Sequence, residues 1–305
     1  MRNSWGRGMY TCGMQERGFF GRVWNALGVF ILVFLATGAA LGVGALGVLW
    51  FLGEEVLGGR TSAEAWAPAF DCNVVGIAVR GPIVIASDTI PAEDCVNGCP
   101  VVTASDDVLE YLRTASENDA IKGVILDIES GGGYPVPSEE IANAVAEVGK
   151  PSVAWVRQIA ASGAYWIASA ADTIVASPNS DVGSIGVSMS YLDYSGQNEE
   201  DGLNFNSLSS GKFKDTGSPD KPLTDEERTL LERDIKITHA NFVAAVAANR
   251  GLTVEQVQAM ADGSTMLGAM AQGSGLVDAL GGQSEAYAAL ATAIGEEPVI
   301  CWAGI

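Results

Sequence analysis

The stretch SVAWVRQIAASGAYWIASAADTIVAS, residues 152–177, carries the pattern that decides the fold. SVAWV (152–156) is a short apolar run and DTIVAS (172–177) a second one, both rich in β-branched residues. Between them AASGAYWIASAAD (160–172) can run as an apolar helix. Strand, short helix, strand is the signature of a parallel βαβ unit. Ser162 stands where strand gives way to helix, among Ala160, Ala161, Gly163 and Ala164. The free N–H groups and the positive dipole end of a helix favour negative charge beside that hydroxyl. An acyl-transfer nucleophile needs such surroundings, because an oxyanion develops next to it. A serine at this position also serves as a plain N-cap, so the neighbouring segments must decide.

Upstream, NVVGIAV (73–79) and PIVIAS (82–87) read as strands, and DDVLEYLRTASEN (106–118) as a helix with Val108, Leu109 and Leu112 on one face. KGVILDIE (122–129) is a continuous apolar strand, as in a parallel sheet covered on both faces. SGGG (130–133) breaks it, and PSEEIANAVAEV (137–148) is the next helix. Downstream, GSIGVSMSYLDY (183–194) and the start of LNFNSLSSGKFKDTGSPDKPLT (203–224) read as strands, the latter running into a polar loop. One long helix is expected from Asp225 to Arg250, capped by Thr224 and ended by Gly251. Thr253 opens another and EAYAALATAIG (285–295) is the last, leaving EEPVICWAGI as a terminal strand or an unstructured tail. The chain is α/β, with parallel units.

Residues 24–52 (WNALGVFILVFLATGAALGVGALGVLWFL) carry no charge and exceed the roughly 20 apolar residues that span a bilayer. Trp24 and Trp50 stand near the two ends, arginines precede the run and Glu54 and Glu55 follow it. That asymmetry predicts a retained membrane helix with its N-terminus cytoplasmic and the bulk of the chain on the outer side of the membrane. The boundaries are a cytoplasmic segment 1–23, the membrane helix 24–52, a linker 53–70, a domain 71–288 and a tail 289–305. Net charge is −20, with +3 on residues 1–23, so the part beyond the apolar run carries −23. Such acidity disfavours nucleic acid and fits a cationic peptide or simply a solvated surface. Cys12 is expected free. Cys72, Cys95, Cys99 and Cys301 fall on the outer side, where disulfides persist, with their pairing open. No metal site or cofactor is expected, since His239 is the sole histidine.

Acyl transfer needs a nucleophile, a base and oxyanion donors. SGGG and Ser162 follow consecutive parallel strands at their C-terminal ends, where ligands bind, and glycines let a backbone N–H approach a substrate oxygen. Histidine is the usual base for serine, but His239 falls inside the long helix and reads as surface or interface. Of six lysines, Lys122, Lys150 and Lys236 read as solvated; Lys212, Lys214 and Lys221 lie in or beside the loop 209–222. Composition does not choose between Lys212 and Lys214.

The stretches KGVILDIESGGG, AASGAYWIASAADTIVASPNSDVGSIGV, SGKFKD and ADGSTMLGAMAQGSGLVDALGG occur in this order over residues 71–288. They resemble the signal peptide peptidase A (protease IV-like) family in its short, single-repeat form. These are serine–lysine peptidases on the fold shared by the Clp protease proteolytic subunit and the crotonases, a superhelix of ββα units. The resemblance implies Ser162 as nucleophile and Lys214, before Asp215 in SGKFKD, as general base. It further implies Ser184 as the hydroxyl that orients the lysine, and Gly133 and Gly163 as oxyanion-hole N–H donors. A homo-oligomer is implied, with serine and lysine meeting at a subunit boundary and extended peptide bound by strand addition. Two departures stand out: Gly131 replaces the family's usual Pro, and Ala164 a second Gly. The expectation is a membrane-anchored serine endopeptidase for hydrophobic peptides such as signal-peptide remnants. The alternatives are an inactive membrane scaffold or peptide-binding ring, and a crotonase-type acyl-CoA enzyme.

Overall fold

The computed structural model describes residues 72–87 and 101–304, all within one compact unit, Glu64–Ile305. Its centre is a parallel sheet. In chain order the elements are β1 (Val74–Arg80), β2 (Ile83–Val84), β3 (Thr103–Ala104), α1 (Ser105–Glu117), β4 (Gly123–Ser130) and α2 (Pro135–Glu147). Then come β5 (Ser152–Ala161), α3 (Gly163–Ser169), β6 (Thr173–Ala176), β7 (Asp181–Gly183), α4 (Ser195–Glu200) and α5 (Asp225–Arg250). The rest is α6 (Val254–Gln258), β8 (Thr265–Leu267), α7 (Gly268–Gly273), β9 (Ala279–Leu280), α8 (Gln283–Ile294) and β10 (Ile300–Trp302). Strand order across the sheet is β10-β1-β4-β5-β6-β9. β7 pairs with the far end of β5, and β8 runs antiparallel to β7.

Alternation along the strands divides the core. Val124, Leu126 and Ile128 of β4 pack with α1, α2, α3 and the C-terminal half of α5, while Ile125, Val153 and Trp155 pack under Ala286 and Leu290 of α8. Both faces are covered, which is why β4 reads as unbroken apolar sequence. α3 is buried all round, from Gly163 to Ser169, and its small residues let it sit close against the strands. Tyr165 is fully buried and donates its hydroxyl to the Leu276 carbonyl at 2.9 Å, fixing the helix that carries the Ser162 junction.

Several local expectations shift. β5 extends to Ala161 rather than stopping at 156, because Ile159–Ala161 gain β7 as a partner. Only Asp181–Gly183 of the region around 183–194 is strand, and 203–208 is not strand; apolar, β-prone residues there have no neighbouring edge to pair with. The tail is strand: β10 pairs with β1, and Cys301 is disulfide-bonded to Cys72. α8 crosses the expected boundary at 288, so the ordered unit runs on to β10. Cys72 is buried. Among the described residues no helix is long and apolar enough to cross a membrane. The apolar run 24–52, Cys95 and Cys99 lie outside the described residues.

Candidate active site

Three parallel neighbours end at the same edge of the sheet. Ser130 pairs with Ala160, and Ala161 with Gly183. The residues that follow, Gly131–Gly133, Ser162 and Ser184, therefore emerge side by side, at the carboxyl ends where open α/β sheets bind ligands. Ser162 adopts φ 52 and ψ −127, a region that costs a residue with a Cβ on the order of 1–3 kcal/mol. The surroundings hold it there. Its N–H donates to the Gly183 carbonyl at 2.8 Å, and its own carbonyl accepts from the N–H groups of Tyr165 (2.9 Å) and Trp166 (3.0 Å). Ser184 repeats the conformation at φ 51. Its N–H donates to the Ser264 carbonyl at 2.9 Å and its Oγ to the Gly263 carbonyl at 2.9 Å.

The glycine turn lies against the serine. The Ile83 N–H donates to the Gly132 carbonyl at 3.1 Å, and the Tyr134 N–H to the Ile83 carbonyl at 3.0 Å. Backbone groups alternate sides in extended chain, so the intervening Gly133 N–H faces away from β2. A Cβ on Gly163 would stand 3.4 Å from the Gly133 nitrogen and 2.2 Å from Ser138 Oγ. One on Gly132, at φ 101, would stand 2.8 Å from the Gly163 nitrogen and from Ser162 Cβ. Glycine is required at both places by space. Neither the Gly133 nor the Gly163 N–H donates a hydrogen bond within the described residues. Two free donors beside a hydroxyl are what a tetrahedral oxyanion needs.

These groups open onto a cavity of about 790 Å³. Ile83, Gly133 and Tyr134 form one wall, Ser184 and Val187 another, and Ile235, Lys236 and His239 of α5 a third. Trp166 stacks on Phe242 at 4.6 Å between ring centroids, and both line the cavity. His239 thus departs from its expected surface or interface place: it lines the same cavity as Ser162, with a buried Nε2 that has no hydrogen-bond partner among the described residues. Lys236 also lines it while remaining 78% exposed, 3.9 Å from Glu232. One helical turn separates the two, so α5 turns both toward the cavity.

The lysines sort by their partners. Lys212 pairs with Glu226 at 2.5 Å and Lys221 with Glu227 at 2.6 Å. Lys122 and Lys150 donate to backbone carbonyls. Lys214 alone has neither an ion pair nor a side-chain hydrogen bond among the described residues; it is exposed on the turn at 211–216. It does not line the Ser162 cavity. Within one chain, then, Ser162, Ser184, Gly133 and Gly163 come together and Lys214 does not join them. Sequence reasoning passed over two buried hydroxyls beside the glycine turn, Ser130 and Ser138; Ser130 was visible as the residue that opens SGGG. Among the described residues no group of His, Cys, Asp and Glu is placed to hold a metal ion.

Residues 144–295 match peptidase family S49. The protein slr0021 of Synechocystis sp., which carries a protease name, is 35% identical over 63% of this chain and 69% of its own length. MJ0651 of Methanocaldococcus jannaschii, also named as a protease, is 39% identical over 58% of each chain. Protease 4 of Haemophilus influenzae is 32% identical over 59% of this chain and 30% of its own. A solved structure, a point mutant of ClpP1 from Listeria monocytogenes, aligns over 70% of this chain and 94% of its own at TM-score 0.43 and 14% identity. The fold is that of an α/β protein with a candidate acyl-transfer site at Ser162, beside two free N–H donors at the carboxyl edge of the sheet. The chain belongs to peptidase family S49, the signal peptide peptidase A family of serine peptidases. It spans 58% of MJ0651 and 54% of an Enterococcus faecium protein named for signal peptide peptidase SppA.

Proposed function

We propose that this chain is a membrane-anchored serine endopeptidase that cuts hydrophobic peptides, signal-peptide remnants among them, on the outer side of the membrane. The observation that carries the reading is Ser162, held at φ 52 beside the undonated N–H groups of Gly133 and Gly163. In the proposed reaction the neutral amine of Lys214 takes the proton from Ser162 Oγ, which attacks the peptide carbonyl. Gly133 and Gly163 hold the resulting oxyanion. The lysine ammonium then protonates the leaving amine as the C–N bond breaks, and water, deprotonated by the same amine, releases the acyl group. Because Lys214 lies outside the Ser162 cavity of its own chain, the amine comes from a second copy of the chain, whose Ser184 hydroxyl or that of the serine-bearing copy orients it. Residues 24–52 anchor the assembly, and the Cys72–Cys301 disulfide favours an oxidising, extracytoplasmic compartment.

Hydrolysis of a fluorogenic hydrophobic peptide by the full chain, absent in Ser162→Ala, tests this; turnover surviving in Ser162→Ala contradicts it and leaves the scaffold reading. The acidic surface is expected to raise kcat/KM for cationic peptides, an advantage that added salt removes; insensitivity to salt refutes that part. A second assignment of the base has one observation in its favour: His239 shares the Ser162 cavity and its Nε2 is without a partner among the described residues. Activity lost in His239→Ala and kept in Lys214→Ala would establish it in place of the lysine.

A further inference from the structure

We propose that Ser130 is a positioning residue for the oxyanion hole: its buried hydroxyl holds the glycine turn in the one peptide orientation that presents the Gly133 N–H to a substrate oxygen. The proposal rests on the peptidase reading above. Ser130 is the last residue of β4 and is 2% exposed. Its Oγ donates to the Gly81 carbonyl at 2.6 Å and accepts from the Gly132 N–H at 3.0 Å. A single hydroxyl therefore joins the turn after β1 to the turn after β4.

What that joint controls follows from the absence of side chains in the turn. Gly131, Gly132 and Gly133 have no Cβ to restrict them, Gly132 sits at φ 101, and nothing stands near the Cα of Gly131 on its side-chain face. The peptide before Gly132 is fixed by its N–H to Ser130, and the peptide after it by its carbonyl to Ile83. If the first bond is lost, a flip of the Gly132–Gly133 peptide is resisted by its carbonyl bond to Ile83 and, beyond Gly133, by the Tyr134 N–H on the Ile83 carbonyl, but no longer from the β4 side. That flip would turn the Gly133 N–H toward β2 and aim a carbonyl oxygen at the cavity, replacing a donor with an acceptor where negative charge develops. The ground-state complex scarcely senses the exchange, since the oxyanion exists only in the transition state and the tetrahedral intermediate.

The test compares wild type with Ser130→Ala in the full chain, using a fluorogenic peptide, a peptide aldehyde and the amine-side product peptide. The aldehyde forms a hemiacetal with Ser162 whose oxygen occupies the oxyanion position. Removal of a whole oxyanion donor costs roughly 100- to 1,000-fold, so a donor left free to flip is expected to lower kcat by about tenfold or more with KM nearly unchanged. Aldehyde affinity should fall in parallel with kcat, and affinity for the amine-side product peptide, which places no carboxylate in the oxyanion position, should hold. Should Ser130→Ala fail to fold, Ser130→Cys keeps a donor and an acceptor at the position on a somewhat larger sulfur, weakens both hydrogen bonds and is expected to give a smaller loss of the same kind. Unchanged kcat, or equal weakening of aldehyde and product, overturns the positioning role while leaving the peptidase reading intact. A wild-type chain that neither turns over peptide nor binds the aldehyde overturns both.

Discussion

Ser162 and Ser184 are the two residues with side chains that the fold holds at positive φ among the described residues, and both sit where a strand ends at the cavity. Conformations that cost free energy persist where neighbours over-determine them, and here backbone hydrogen bonds to Gly183, Tyr165, Trp166 and Ser264 do so. Space is as restrictive as conformation. A methyl group on Gly163 would overlap Ser138 Oγ at 2.2 Å, and Ser138 is buried and bonded to the Tyr134 carbonyl at 2.8 Å. Gly163→Ala is therefore expected to displace the turn from the nucleophile and lower kcat by about 100-fold or more, measured on a fluorogenic peptide; near-normal kcat would remove Gly163 from the oxyanion hole. Among the lysines, Lys214→Ala is expected to abolish turnover. Lys212→Ala, which removes only an exposed pair with Glu226, should retain it, as should His239→Ala.

The element that ties the Lys214 loop to the domain is the start of α5. Thr224 and Glu227 form a reciprocal capping box there, and Gly251 closes the far end at φ 62. Glu227 does more than cap: its carboxylate accepts from Lys221 Nζ at 2.6 Å and from the Thr224 N–H at 2.9 Å. The Lys221 contact first, then the Thr224 backbone, hold its pKa down to about 2 from the usual 4.5. A depressed carboxylate adds stability that is complete above its unfolded value and is lost as pH falls through the folded one. Between about pH 5 and pH 2, thermal unfolding should accordingly show a steeper fall in Tm for wild type than for Glu227→Gln; equal slopes would deny the pair its role. These ends of α5 were legible residue by residue, because a cap depends only on a side chain and the nearest free N–H or carbonyl groups. The strand expected over 183–194 was not. Val187 and Met189 have strand-prone neighbours in sequence, yet pairing depends on an edge that only tertiary structure supplies, and β5 offers β7 just three residues.

Across the whole molecule the sequence conveyed the α/β class, the sheet edge that carries SGGG and Ser162, and the order of motifs, since each follows from local periodicity and glycine placement. It missed what distant segments do to one another: β10 closing onto β1 with its disulfide, and α5 swinging His239 and Lys236 onto the cavity wall. The separation of Lys214 from the Ser162 cavity belongs to the same scale. Its loop and the segment before it expose large apolar side chains, Tyr191, Leu192, Leu203, Phe205 and Phe213 among them, which suits burial against another copy. If the dyad is completed between copies, mixing Ser162→Ala with Lys214→Ala chains should restore part of the activity that each lacks alone; no recovery in demonstrably mixed assemblies would place both groups in one chain. The central claim is that a neutral Lys214 amine activates Ser162. Its most direct measurement is labelling of the full chain with a fluorophosphonate probe, located by peptide mass. The label is expected on Ser162, lost in Lys214→Ala and retained in His239→Ala. Label on another residue, or undiminished label on Ser162 in Lys214→Ala, would contradict the account.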